Sequence, residues 1–219
     1  MSLFELGPAP FYSPPAYRRD EMVDPTGAVR PVWARVHGSL LGTGAESLRR
    51  DAARIQRKLH HHGAAFSATG ASASGWALDP VPMVVERSEW RALGRALVQR
   101  ARVLELLLAD VFGEQRLLRS GVLPIDAIVS HRDYLRPCIG VPPGGGRHLV
   151  LHASDVARSP DGRFTVISDR TQAPSGAGYV LENREVLSSS YPELLRSSGV
   201  EPLGPWFAAL RLTLAEVAP

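Results

Sequence analysis

The chain has 219 residues, 44% of them apolar, and sets 25 Lys and Arg against 22 Asp and Glu for a formal charge of +3. That length allows one large domain or two small ones, and no apolar run approaches the ~20 residues that cross a bilayer. The start, Met1-Ser-Leu-Phe-Glu-Leu-Gly-Pro, does not read as a secretory signal, and a single cysteine, Cys138, excludes an internal disulfide. A reducing cytoplasm and no membrane are therefore expected. The sequence pI is about 9.4 because nearly every cation is arginine, Lys58 being the one lysine. These arginines are dispersed and lack aromatic platforms, so no nucleic-acid partner is expected.

Residues 1–32 hold six prolines and little periodicity, which predicts an extended Pro-rich arm laid over a body formed by 33–219. Helical structure is expected through 46–130. Leu48, Ala52, Ile55 and Leu59 form one stripe of a helix over Glu46–His62 that Gly63 stops. Residues 64–67 suggest a brief strand, and 68–75 a featureless connection. Ser88 is suited to cap a long helix on which Trp90, Leu93, Leu97, Leu104, Leu108 and Val111 recur at three- and four-residue steps. Shorter helices are expected at Glu114–Arg119 and from Pro124 through Val129. Trp90, Trp206 and Phe207 read as core, Cys138 as a buried thiol, and 142–146 as a mobile loop. A metal on His60-His61-His62 is disfavoured, because consecutive helical side chains diverge.

Two alternating runs, 148–156 and 163–169, flank Ser159-Pro160-Asp161-Gly162, a strong hairpin signal. Pairing Ser159 with Gly162 sets His152 opposite Asp169, Ser154 opposite Ile167 and Asp155 opposite Val166. Leu149, Leu151, Ala153, Phe164 and Val166 then share a core face, and His148, His152, Ser154, Thr165 and Asp169 a polar one. Asp169 ends its strand immediately before a small-residue loop. Either it is a metal ligand or it caps its own turn.

The hairpin and glycine loop together cover 147–180. Pro174-Ser175-Gly176-Ala177-Gly178 gives a ligand close access to the backbone. Set before a helix, its amides suit an anion, with Arg170 and Arg184 able to add bidentate contacts; a tight structural turn is the alternative. Helices near Leu181–Ser189, Pro192–Ser197 and Pro205–Val217 complete the chain. Glu182 and Asn183 either point back at the loop or face solvent.

The string Asp169-Arg-Thr-Gln-Ala-Pro-Ser-Gly-Ala-Gly-Tyr-Val-Leu-Glu-Asn-Arg184 resembles the bacterial circularly permuted ATP-grasp family, relatives of glutathionylspermidine synthetase and glutathione synthetase. Val29-Arg-Pro31, Trp76-Ala-Leu-Asp-Pro80, Gln99-Arg-Ala-Arg102, Phe112-Gly113, Leu135-Arg-Pro-Cys138 and Asp155-Val-Ala-Arg-Ser-Pro-Asp-Gly162 extend the likeness over about residues 20–215. The resemblance implies an ATP-dependent carboxylate–amine ligase, in which Mg-ATP phosphorylates a small-molecule or peptide carboxylate and an amine attacks the acyl phosphate. It implies magnesium on Asp169 with Thr171 or Gln172, Thr171 standing where the synthetases carry Asn.

On the same likeness Ser175, Gly176, Gly178 and Asn183 would hold a carboxylate or phosphate. Arg136, Arg170 and Arg184 would steady negative charge, Arg170 and Arg184 in catalytic roles, while Asp155 and Arg158 contribute substrate contacts. ATP-grasp enzymes clamp the nucleotide between two sheets, usually with lysines, and a chain with one lysine is expected to lack that clamp. The expectation is thus an α+β chain, mostly helical with a β-hairpin and small sheet. It would be the N-terminal part of a circularly permuted ATP-grasp fold, inactive by itself and completed by a missing C-terminal region or partner chain. A non-catalytic module that docks a second chain is the other reading.

Overall fold

A computed structural model describes residues 12, 19–63, 65–66 and 74–218 of the chain. A 3-10 turn at Pro31–Trp33 runs into α1 (Ala34–Val36) and a π-helical turn at His37–Leu41. There follow α2 (Ala45–His61), β1 (Ala65–Phe66) paired antiparallel with β2 (Ser74–Gly75), and the long α3 (Arg87–Val111). Next come α4 (Arg116–Arg119), α5 (Ile125–Val129) and 3-10 turns at Arg136–Cys138 and Gly144–Gly146. The hairpin is β3 (Ala153–Arg158) with β4 (Phe164–Arg170), and α6 (Ala177–Ser190), α7 (Pro192–Ser197) and α8 (Gly204–Val217) close the chain. The chain is mostly helical, with an antiparallel two-stranded hairpin. Among the described residues no helix is long and apolar enough to cross a membrane.

The chain divides into two compact units. The first takes the described residues up to Arg87 with Arg158–Thr165 and Ser175–Pro202; the second takes Ser88–Ala157, Val166–Pro174 and the described residues from Leu203. The first owes its core to helical spacing. On α2, Ile55 and Leu59 are fully buried one turn apart, and they meet Val186 of α6, Tyr191 and Leu194 of α7. Met22 and Val23, in the stretch expected to be an arm, belong to the same core, as do Trp33, Val36, Leu40 and Leu41. Asp20 fixes that stretch by accepting the amide protons of Met22 and Val23 at 2.8 and 2.6 Å, and Val23 bridges Val29. Residues 1–11 and 13–18 of the expected arm, and 68–73 of the expected connection, lie outside the described residues, while the end of that connection forms β2. Helical structure at 31–41 was not expected, although Trp33, Val36 and Leu40 recur at three- and four-residue steps and are all buried. Its His37 is buried with neither ring nitrogen bonded, and burial pushes the imidazole pKa down.

In the second unit α3 directs Leu93, Leu97, Leu104, Leu108 and Val111 inward, as its spacing predicts, yet Val111 is the one buried hydrophobic residue there among the described residues. Trp90 and Trp206, expected in the core, are about half exposed. Each sits in the first turn of its helix, Trp90 in line with the inward-facing row of α3 but at its end. Cys138 is exposed rather than buried, being carried by the surface turn at Arg136–Cys138. The start of α4 is set by Asp110, which accepts the amide protons of Arg116 and Leu117 at 2.9 Å each. The glycines expected to be a mobile loop form a turn pressed on the end of α8: a Cβ on Gly145 would lie 2.8 Å from Val217 Cγ1.

Replacing Leu59 by Ala removes a side chain with no exposure and is expected to cost about 2–5 kcal/mol. Urea unfolding of the first unit checks this. An exposed counterpart, Leu106→Ala on α3, should shift stability by less than about 0.5 kcal/mol.

Candidate functional site

The hairpin turn closes one residue away from the expected pairing. Gly162 donates its amide proton to the Ser159 carbonyl, and Ser159 donates to the Arg163 carbonyl, both at 2.8 Å. Gly162 takes φ +88°, a left-handed conformation that costs glycine little, and so inserts an extra residue. A second offset occurs on β4, where alternation breaks at the two successive exposed residues Ile167 and Ser168. The expected pairs Ser154–Ile167 and Asp155–Val166 are replaced by hydrogen bonds from Ser154 to Asp169 and from Ser168 to Asp155. Near the turn, Thr165 meets Ser159 at 2.9 Å, and Phe164 lies under the Arg158 guanidinium at 4.1 Å, rather than on the two faces first expected. The two offsets add up to two residues, which restores the face, so His152 still reaches Asp169.

Asp169 is the centre of the second unit's polar cluster. Arg100, from α3, places Nε 2.9 and 2.7 Å from the two carboxylate oxygens and its Nη2 2.5 Å from Oδ2. His152 Nε2 and Ser154 Oγ each lie 2.9 Å from Oδ1. The Arg100 guanidinium, helped by His152 and Ser154, holds the carboxyl far below the usual carboxylate range despite the opposing effect of burial. Glu105, five residues along α3, accepts the amide protons of His148 and Leu149 at 2.9 and 2.6 Å, so one helix clamps both ends of the approach to this cluster. His152 and Ser154 follow from strand alternation. Arg100 and Glu105 do not, because nothing in their spacing tells which hairpin residue their helix will meet.

The other candidate residues are distributed as follows. Asp155 accepts Ser168 Oγ at 2.6 Å and Arg170 Nη2 at 2.9 Å, and these two donors, Ser168 foremost, lower its pKa. Thr171, Gln172 and Arg136 are exposed. Arg158 is buried beside Glu21, 2.8 Å away, and donates to the Gly162 carbonyl, which makes it a brace of the first unit. Ser175 is exposed, Gly176 precedes α6 at φ +116°, and Gly178 lies in the first turn of α6.

Deeper on α6, Asn183 accepts Trp76 Nε1 at 2.7 Å while the Trp76 ring stacks on Tyr179, centroids 4.3 Å apart. Glu182 meets His62 Nδ1 at 2.7 Å, and Arg184 donates to the Glu201 carbonyl at 2.7 Å. Asp169, Asp155, Arg170, Arg136, Thr171 and Gln172 thus belong to the second unit. Arg158, the loop from Ser175, Asn183 and Arg184 belong to the first. Among the described residues no group of three or more His, Cys, Asp or Glu side chains is arranged to hold a metal ion.

Asp169→Asn keeps the shape and removes the charge that Arg100 matches. It is expected to cost about 1–3 kcal/mol. Because the folded carboxyl titrates below its unfolded value, its contribution is complete above about pH 4 and is lost only as pH falls toward the lower folded value. Paired urea titrations of parent and variant should therefore differ by a constant amount from neutral pH down to about pH 5 and converge in stronger acid.

Comparison with known proteins bears on the same residues. An uncharacterized protein of Mycobacterium tuberculosis strain H37Rv is 36% identical over 231 aligned residues, covering 100% of this chain and 25% of its own. One from Mycobacterium leprae is 33% identical over 199 residues, covering 91% of this chain and 35% of its own. One from Synechocystis is 34% identical over 142 residues, covering 65% of this chain and 30% of its own. The chain thus spans between a quarter and about a third of the length of these relatives. The family described as circularly permuted ATP-grasp type 2 matches residues 82–219, and the chain belongs to that family.

Proposed function

We propose that the chain forms the substrate-side portion of an ATP-dependent carboxylate–amine ligase and is inactive alone. In such a reaction the γ-phosphoryl group of ATP passes to a carboxylate oxygen and ADP leaves. An amine nitrogen then attacks the acyl carbon, phosphate departs, and the amine gives up a proton. The observation that carries this reading is the ionised Asp169 at the end of β4, rigidly oriented and followed within six residues by the exposed Ser175 and the glycines before α6. Fixed charges and free amides stabilise phosphoryl chemistry chiefly by electrostatics. In this reading Ser175, Gly176 and Gly178 receive the anionic group with Asn183. Arg136 and Arg170 steady negative charge, Arg184 supports α6 from behind, and Asp155 and Arg158 set the hairpin's shape.

Magnesium accompanies ATP in this chemistry and would draw charge from the phosphates. As arranged, Asp169 does not fit such an ion, because Arg100 already contacts both of its oxygens and matches its charge. A divalent ion would share Asp169 with Thr171 or Gln172 only after the guanidinium withdraws. Arg100→Met should therefore raise Mg²⁺ affinity at least tenfold, and Asp169→Asn in that background should abolish the gain; calorimetry with Mg²⁺ alone reads both. Calorimetry of the parent chain with Mg-ATP is expected to show no binding in the micromolar range. Micromolar binding would contradict the reading that the nucleotide clamp lies elsewhere.

A non-catalytic module that docks another chain or domain is favoured by a separate observation, the apolar surface of the second unit. Trp90, Val98, Leu106, Leu135, Trp206 and Leu212 are all substantially exposed there.

A further inference from the structure

The helix α8 is apolar over most of its circumference, and yet no residue in it is buried. Its charged side chains are Arg211 and Glu216, the latter paired with Arg147 at 3.4 Å. Leu210 and Val217 lie on its half-buried side. On the opposite side Leu212 is 62% exposed, flanked at helical spacing by the exposed Ala208 and Ala215 to make a smooth apolar strip. Helices apolar on all sides belong to protein interiors, and a lone fourteen-residue helix gains nothing from such a strip in water. The unit that carries α8 also has Val111 as its one buried hydrophobic residue among the described residues. Its α3 exposes Val98 by 53% and Leu106 by 70%.

We infer that the outer strip of α8, centred on Leu212, is a docking surface, and that its occupant is the remaining region of a circularly permuted ATP-grasp domain. Two facts single out that occupant. The family match, over residues 82–219, includes α8, so α8 is part of the family's domain. The Mycobacterium tuberculosis relative devotes three quarters of its length to sequence outside the stretch matched here, which is chain enough to cover the strip. The inference rests on the reading of this chain as one portion of a larger ligase domain, and it adds the face through which the portions join.

The test compares this chain alone with a chimera in which it replaces the matching quarter of the Mycobacterium tuberculosis relative. Leu212→Glu should leave the melting temperature of the isolated chain unchanged, since the side chain is exposed, and lower that of the chimera by several degrees. Hydroxyl-radical footprinting should show Leu212 oxidised at least threefold more slowly in the chimera. Equal effects of Leu212→Glu in both proteins, or equal oxidation, would overturn the inference. So would a dimer of the isolated chain that Leu212→Glu dissolves in sedimentation, because the occupant would then be a second copy. If the chimera does not fold, footprinting the natural relative over the segment aligned with Gly204–Val217 decides the question: slow oxidation supports docking and fast oxidation refutes it. A chimera that protects α8 but does not bind Mg-ATP removes the ligase reading alone; one that binds Mg-ATP with α8 unprotected removes the docking face alone.

Discussion

The contact on which the second unit's polar site depends is the pairing of Arg100 with Asp169. A flat guanidinium laid against both oxygens of a carboxylate fixes orientation as well as charge. Here it ties a hairpin end to the middle of the longest helix. His152 and Ser154 complete the set of donors, so the carboxylate stays ionised in a partly enclosed position. Glu105 repeats the device with backbone amides. Through these two side chains α3 acts as a ruler against which the segment entering the hairpin and the end of its second strand are set.

The first unit is stabilised differently. Its α2 and α6 meet through fully buried aliphatic side chains, and the polar ties sit at the margin: Lys58 to Ser189 at 2.8 Å and His62 to Glu182 at 2.7 Å. Burial of Ile55, Leu59 and Val186 drives this contact, while the marginal ties select one rotation of α6. That rotation determines where the glycine loop before it begins. Trp76 adds a second constraint by bonding Asn183 and stacking on Tyr179.

What the sequence disclosed follows from the range of the interactions involved. The long helices were legible because Leu48–Leu59 and Leu93–Val111 repeat their period several times. The hairpin was legible because Asp161-Gly162 offers few alternatives, and the contact between His152 and Asp169 because it depends only on strand parity. The register itself was misjudged, since a left-handed Gly162 adds a residue at the turn and Ile167–Ser168 adds another, neither of which alters composition. The partners of Asp169 and Glu182 stayed hidden because Arg100 and His62 lie 69 and 120 residues away. Trp90 and Trp206 were misplaced because a hydrophobic type was equated with burial, whereas the second unit leaves much of its apolar surface uncovered.

The paired irregularities of the hairpin carry a consequence for how this segment tolerates change. Each shifts the phase of the ribbon by one residue, and their sum returns the acid to the side where its guanidinium waits. Removing an extra residue itself, at Gly162 or at Ile167–Ser168, leaves every other residue opposite its present partner. A one-residue insertion or deletion elsewhere in either strand would invert every side chain beyond it and turn the acid away from Arg100. Length change in this ribbon is therefore admitted at its irregularities and resisted between them, a rule written in geometry rather than in the identity of any amino acid.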